Sequence, residues 1–336
     1  MSGGRPWLAA VLVALGAVTV GVLGGCGTSS NARYSSSTAS PAGRTRIAPA
    51  PRTVAHPRRD RSRAAAGSRG ALSDIAVIVM ENQEYGDVIG SAAAPFINGL
   101  ASRYASDLEM YGVTHPSLPN YLALTGGSTF GIASDCTACS VAGATSIVDQ
   151  LERAHISWRA YMEDLPRPCF TGASAGEYAR KHDPFVYYTR VVNNRRWCRR
   201  VVPLTALGDD ERGRTLPRFI WITPNLCHDM HDCSVATGDR FLSSLVPPLL
   251  RSLGPRGVLF ITWDEGTSDA GCCRLASGGH VATIVAGPGA KRGARMTRPT
   301  DHYSLLETIE DLLGLRRLRG AACVCTSSLK PLLEAG

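Results

Sequence analysis

Short runs of β-branched and apolar residues recur along the chain, each bounded by turn residues: Ile75–Met80, Ile156–Tyr161, Phe219–Thr223, Val258–Thr262 and Val281–Ala286. Most run on without alternating apolar and polar positions, the pattern of strands covered on both faces. Helical spacing appears over Ser146–Ala154, Asp239–Leu245 and His302–Leu313, the last with Leu305, Leu306, Ile309, Leu312 and Leu313 on one side. Val/Ile-rich strands separated by helices predict an α/β fold: a mostly parallel central sheet with helices on both faces, in one domain. No segment repeats at a solenoid period.

The first 70 residues follow neither pattern. Trp7 to Leu23 is apolar or small throughout, follows Arg5, and ends in Leu23-Gly24-Gly25-Cys26. That is the form of a bacterial lipobox, so residues 1–26 are expected to be a lipoprotein signal peptide with Cys26 acylated. A plain cleaved signal and an uncleaved membrane helix are the competing readings. Residues 27–70, rich in Ser, Thr, Pro, Ala and Arg, read as a disordered tether reaching roughly 35–40 Å. The expected catalytic body is 71–336, exported and either anchored to the membrane through lipid or secreted.

Charge sharpens this division. The chain's formal +8 is carried by the tether, where nine Arg face one Asp; residues 71–336 hold 26 basic and 27 acidic side chains. A body of net −1 is a poor nucleic-acid binder. The tether's arginines suit anionic headgroups, although 33 Arg against three Lys also reflects a general bias in usage. A hydrophobic content of 44% rules out wholesale disorder. A monomer is expected.

Ten cysteines remain besides Cys26: Cys136, Cys139, Cys169, Cys198, Cys227, Cys233, Cys272, Cys273, Cys323 and Cys325. An even number in an exported chain favours disulfides. Cys136-x-x-Cys139 could be half a zinc site, but no second pair stands at zinc-ribbon spacing. Adjacent Cys272 and Cys273 are expected to bridge to different partners, because a ring between neighbours is strained.

Polar clusters follow the strands, and ligands of open α/β sheets collect beyond the strands' carboxyl ends. Ile75–Met80 leads into Glu81-Asn82, Phe219–Thr223 into a loop holding His228, Asp229, His231 and Asp232, and Val258–Thr262 into Trp263-Asp264-Glu265. His280 is expected at the start of its strand. In His115-Pro116-Ser117-Leu118-Pro119-Asn120, Pro119 suits a first helical turn and Gly126-Gly127 a stop, placing Ser117 near a helix N-terminus. There it either caps the helix or presents its hydroxyl beside an anion site. Glu81 with Asn82 and Asp264 with Glu265 are either exposed loop residues or the oxygen donors of a hard divalent metal. Histidines of the 228–231 loop could ligate metal, contact phosphate or protonate a leaving group, and His280 could approach a ligand or be a buried, satisfied side chain. No Gly-x-Ser-x-Gly elbow surrounds Ser117, and neither a P-loop nor a dinucleotide fingerprint is present.

Glu81-Asn82 after its strand, Ser117-Leu118-Pro119-Asn120, the Asp229–Asp239 stretch and Trp263-Asp264-Glu265, in this order, resemble the bacterial phosphoesterase family. That family contains acid phosphatases and phosphatidylcholine-type phospholipases C and shares the alkaline-phosphatase-like fold. His115–Gly127, Ile156–Glu163, Ser234–Asp239, Gly278–Val281 and Asp301–Ser304 look most like its secreted acid phosphatases, often described as phosphatidylinositol-3-phosphatases. The resemblance implies Ser117 as nucleophile and Glu81, Asn82, Asp264 and Glu265 as ligands of one divalent metal ion. His228, His231 and His280 are expected to move the leaving-group proton, and His115, Asn120, Asp229 and Asp232 to contact substrate. The expected activity is metal-assisted hydrolysis of a phosphate monoester, with a phosphoinositide as one such substrate. Phospholipase C action on a diester and a non-catalytic surface binding module are the alternatives.

Overall fold

The computed structural model describes residues 74–335; the expected signal peptide, the tether and Cys26 lie outside the described residues. Its strands are β1 (Ile75–Met80), β2 (Ala105–Tyr111), β3 (Trp158–Met162), β4 (Ser174–Ala175), β5 (Tyr178–Ala179), β6 (Val201–Pro203), β7 (Phe219–Thr223), β8 (Val258–Trp263), β9 (His280–Ala286), β10 (Arg295–Met296) and β11 (Thr300–Asp301). The helices are α1 (Tyr85–Val88), α2 (Pro95–Arg103), α3 (Ser117–Gly126), α4 (Ile147–Arg153), α5 (Thr189–Val192), α6 (Arg195–Cys198), α7 (Thr205–Gly213), α8 (Val235–Ser252) and α9 (His302–Leu312).

All six residues of β1 are fully buried, which requires cover on both faces and a partner on both edges. Both are met. Ile75 pairs in parallel with Phe219 of β7 on one side and Val258 of β8 on the other. The main sheet runs β10-β2-β9-β8-β1-β7-β3-β6, with β11 also on β2. Helix α8 packs on α2 and α7, while α3 packs on α4 and α9, so two helix groups sandwich the sheet. Fully burying an aliphatic side chain of β1, β7 or β8 contributes roughly 1.5–3 kcal/mol.

Two departures from the apolar-run pattern have physical causes. Strand β2 was hidden by Ser106, Asp107 and Glu109; Asp107 is nonetheless buried, accepting a hydrogen bond from the Thr300 hydroxyl, and burial pushes its pKa up to about 6. Strand β9 runs antiparallel to β8 and to β2. Its start therefore lies at the same edge of the sheet as the ends of β1, β7 and β8. The expected helix Asp239–Leu245 extends to 18 residues as α8, whose Asp239 carboxylate accepts the Phe96 and Ile97 amides at 3.2 and 2.8 Å and so anchors the first turn of α2.

The ten cysteines form five disulfides: Cys136–Cys139, Cys169–Cys198, Cys227–Cys233, Cys272–Cys273 and Cys323–Cys325. Cys136-x-x-Cys139 is thus closed on itself, not half a zinc site. The expectation that Cys272 and Cys273 bridge elsewhere is corrected. They bond to each other in a tight turn, where Cys272 pairs with Ala276 and both Cys273 and Arg274 take positive φ. No helix among the described residues is long and apolar enough to cross a membrane.

Candidate active site

The neighbouring strands β1 and β8 end in register, and each delivers a carboxylate beyond its last residue. Asp264 N–H donates to Met80 O and Glu81 N–H to Asp229 O, both at 2.9 Å, so three loops meet at this edge. Glu81 and Asp264 are fully buried and Glu265 nearly so. Asn82, at positive φ, and Glu265 donate their amides to Asp264 Oδ1 at 3.2 and 2.6 Å. The other oxygen, Asp264 Oδ2, is buried without a hydrogen-bond partner among the described residues.

Ser117 is the first residue of α3, buried, and does not cap it; Pro116, at the N-cap, has no side-chain cap hydrogen bond. Its Oγ donates to Glu81 Oε2 at 3.0 Å, with Glu265 Oε1 at 3.4 Å. One turn on, Tyr121 donates its hydroxyl to Glu81 Oε1, as two residues four apart on a helix can share one partner. Asn120 has a different task. Its Oδ1 accepts the Val113 and Thr114 amides at 2.8 and 3.1 Å, and its Nδ2 donates to Thr114 O and Pro116 O at 2.6 and 3.2 Å. Its hydrogen-bonding capacity is taken up by the turn that presents Ser117, leaving none for the substrate contact expected of it. The Leu118 amide, which an anion at this helix end would use, donates to Asp135 Oδ1 at 3.0 Å.

A second layer supports these groups. His182 lies buried between two carboxylates, Nε2 3.1 Å from Glu81 Oε2 and Nδ1 3.2 Å from Asp229 Oδ2. Burial alone would lower its pKa, but Glu81 and Asp229 raise it to about 9. In return, although burial pushes Glu81 upward, His182, Tyr121 and Lys181 hold it below the usual carboxylate range. Burial, then the charges of Glu81 and Glu265, drives Asp264 far above that range. Lys181 Nζ donates to Asp135 Oδ2 at 3.1 Å and to His231 Nε2 at 2.9 Å. Because Lys only donates, Nε2 of His231 accepts and the ring proton sits on Nδ1, facing Asp232 Oδ1 at 2.6 Å. At the rim, half-exposed His115 sets Nδ1 2.5 Å from Glu265 Oε2 and Nε2 3.0 Å from Ser268 O.

The loop after β8 is fixed by Glu84, which accepts Thr267 N–H, Ser268 Oγ–H and His280 N–H at 2.8, 2.8 and 3.0 Å. Only glycine fits beside it: a Cβ on Gly266 would lie 2.1 Å from Glu84 Oε2, and Gly279 has φ +88.

The fold thus gathers Glu81, Asn82, His115, Ser117, Asp229, His231, Asp264 and Glu265. It turns two expected histidines elsewhere. His228 bonds Glu163 at 2.9 Å and stacks on Phe241, and His280 lies between the rings of Tyr85 and Tyr111 with Nε2 on Leu108 O at 2.9 Å. Asp232 reaches the cluster only through His231. Sequence reading missed Tyr121, Asp135, Lys181 and His182. Tyr121 lies four residues after Ser117, a signal that helical spacing alone could have given; Lys181 and His182 stand in a short 3-10 turn with no apolar pattern around them.

Several buried carboxylates around one hydroxyl, one of them with a partnerless oxygen, form a donor set fit for a hard divalent cation. Glu81, His182 and His231 also bring ligand atoms within 4.8 Å of one another. A model of the phosphoesterase family matches residues 81–316, most of the described body. The chain belongs to the phosphoesterase family. It is an enzyme, a hydrolase of phosphoric esters. This phosphoesterase is 32% identical over 252 residues to the phosphatidylinositol-3-phosphatase of Mycobacterium tuberculosis, covering 75% of this chain and 80% of that protein. An acid phosphatase of Aspergillus fumigatus is 31% identical over 251 residues, covering 71% of this chain and 54% of the fungal protein. Among solved structures, the lipoteichoic acid synthase LtaP of Listeria monocytogenes aligns with a TM-score of 0.54 at 10% identity, over 78% of this chain and 76% of that one. A Vibrio parahaemolyticus protein of the alkaline phosphatase superfamily gives 0.51 at 11%, over 78% and 72%. Such identities show the fold alone: a mostly parallel α/β sheet of alkaline-phosphatase type.

Proposed function

We propose that this phosphoesterase is a metal-assisted phosphomonoesterase of the acid phosphatase type, working through a phosphoseryl intermediate on Ser117. The observation that carries the reading is the buried Ser117 Oγ, which caps no helix and points at Glu81 with Glu265 behind it. Glu81, Asn82, Asp264 and Glu265 would hold one divalent cation, which when bound supplies positive charge to the hydroxyl and to the phosphoryl oxygens. Ser117 Oγ attacks phosphorus while its proton leaves toward Glu81 Oε2, and the bond to the leaving alcohol breaks. His115, at the open side with Nδ1 held by Glu265, turns its Nε2–H from Ser268 O to the alcohol and gives it the proton. Water then attacks the phosphoserine and gives a proton to His115, the Ser117 Oγ–P bond breaks, and Glu81 returns its proton to Oγ, freeing phosphate and restoring the hydroxyl. Lys181, His182 and Tyr121 orient Glu81 and keep it ionised.

The mycobacterial relative makes a phosphoinositide monoester the first natural substrate to try. We further read the enzyme as an exported monomer held to the membrane by a lipid on Cys26. The test is a paired assay of an aryl phosphate and an aryl phosphorylcholine, followed by acid quench and mass analysis of the peptide bearing Ser117. Monoester cleavage with phosphate on Ser117 supports the reading. Cleavage of the diester alone would replace it with phospholipase C action, and turnover that survives Ser117→Ala would remove Ser117 from the chemistry.

A further inference from the structure

Strand β9 runs away from the Ser117 edge, since Thr283 pairs with Thr262 and Ala286 with Leu259. Where it ends, at the far edge of the sheet, a cavity of about 400 Å3 opens between α2, α8 and the turn after β9. That size falls in the range of small-ligand sites, about 300–1,000 Å3. Its floor is apolar, made by Phe96, Leu100 and Tyr104 on one side and Val246 and Leu250 on the other. Arg103, Arg251 and Arg292 stand around it, and no Asp or Glu among the described residues lines it.

Several arginines of the body are tied to acids. Arg159 pairs with Asp210, Arg190 with Asp149, and Arg317 with Glu307 and Asp311. The side chains of Arg103, Arg251 and Arg292, like those of several other exposed arginines, make no hydrogen bond or ion pair among the described residues; what sets these three apart is that they stand together around one apolar floor. Arg292 lies over the Tyr104 ring at 5.7 Å, and Glu211 attracts Arg251 from the adjoining hollow without an ion pair. A cation in the last turn of a helix is favoured by the helix dipole, which covers Arg103 and Arg251. It does not cover Arg292, which is on no helix, nor the apolar floor the three surround.

We propose that this cavity binds an anionic amphiphile, its phosphate, sulfonate or carboxylate on the three guanidiniums and its chain along the floor. Charge disfavours the chain's own 27–70 segment as occupant, since nine of its residues are Arg and one is Asp. The amphiphile comes either free from solution or as a lipid of a bilayer, and one experiment separates the sources. The full chain, its Ser117→Ala variant and the triple variant R103Q/R251Q/R292Q are titrated calorimetrically with dodecyl sulfonate below its micelle concentration. Expected is saturable one-to-one binding to the first two, weakened tenfold or more in the triple variant at an unchanged melting temperature. Dodecyl maltoside should bind at least tenfold more weakly than the sulfonate. No sulfonate binding, equal binding by the triple variant, loss of binding in Ser117→Ala, or equal affinity for the maltoside would each overturn the proposal. Vesicles of phosphatidylcholine with and without phosphatidylglycerol then assign the source. Capture by the anionic vesicles that the triple variant loses identifies a bilayer lipid; sulfonate binding without vesicle capture identifies a free amphiphile.

Discussion

Ser117 Oγ donates to Glu81 Oε2 across 3.0 Å, joining the first residue of α3 to the exit of β1 from 36 positions away. The hydroxyl has no structural duty at its helix end, so removing it should spare the fold. Ser117→Ala is expected to lower kcat by about three orders of magnitude or more while the melting temperature stays nearly constant. Steady-state kinetics on an aryl phosphate beside a thermal melt checks both halves.

Asn120 should behave in the opposite way. Its four hydrogen bonds hold residues 113–116, so Asn120→Ala is expected to destabilise the fold by about 2–4 kcal/mol. Turnover should fall with KM little changed. A raised KM at wild-type stability would mean that Asn120 touches substrate after all.

Metal removal has two readouts. Dialysis against a chelator should abolish turnover and lower the melting temperature, because Glu81, Asp264 and Glu265 then repel one another with only the flanking basic side chains to offset them. Adding back divalent ions one at a time, with activity and melting followed together, would identify the ion. Turnover indifferent to exhaustive chelation would count against the donor set.

Stability should rise toward mildly acidic pH. Burial lifts Asp107 to about 6 and Glu310 to about 7, above the ordinary values near 4 that they regain on unfolding. The folded chain therefore holds protons that the unfolded chain has released. Their stabilisation is complete below about pH 4 and declines as pH climbs through 6 to 7. Urea melts between pH 4.5 and 7.5 should show this slope, and Glu310→Gln should flatten its upper part by on the order of 1–3 kcal/mol.

The Cys227–Cys233 disulfide brackets the loop that carries Asp229 and His231. Replacing both cysteines with Ser is expected to cost about 2 kcal/mol, the chain entropy of so short a loop. Alkylation of oxidised wild-type protein without reductant should leave all ten body cysteines unlabelled by mass.

Much of this architecture was legible from the chain. β1, β7 and β8 are apolar runs with no competing reading, and the polar residues after them had to fall at one edge. Glu81, Asp264 and Glu265 were legible for that reason, and Ser117 because Pro119 and Gly126-Gly127 bound its helix. The direction of β9 was not, because a run of six buried residues, Val281–Ala286, looks the same whichever way it is paired. Nor was the supporting layer: Lys181 and His182 come from a 3-10 turn positioned by tertiary contacts, and nothing local marks that His182 will be enclosed by Glu81 and Asp229. His228 and His231, only three apart, went to different partners because the intervening loop turns, with Met230 at positive φ.

The central place of β1 also bears on how the chain assembles. Its two neighbours begin at Phe219 and Val258, so a ribosome must make well over a hundred further residues before the first of them exists. Throughout that interval Ile75–Met80 is a bare apolar strand with no edge to join. Long-range parallel pairing of this kind makes folding slow and leaves such a segment open to aggregation. During synthesis, a strand that ends fully buried in the finished enzyme must wait without its partners.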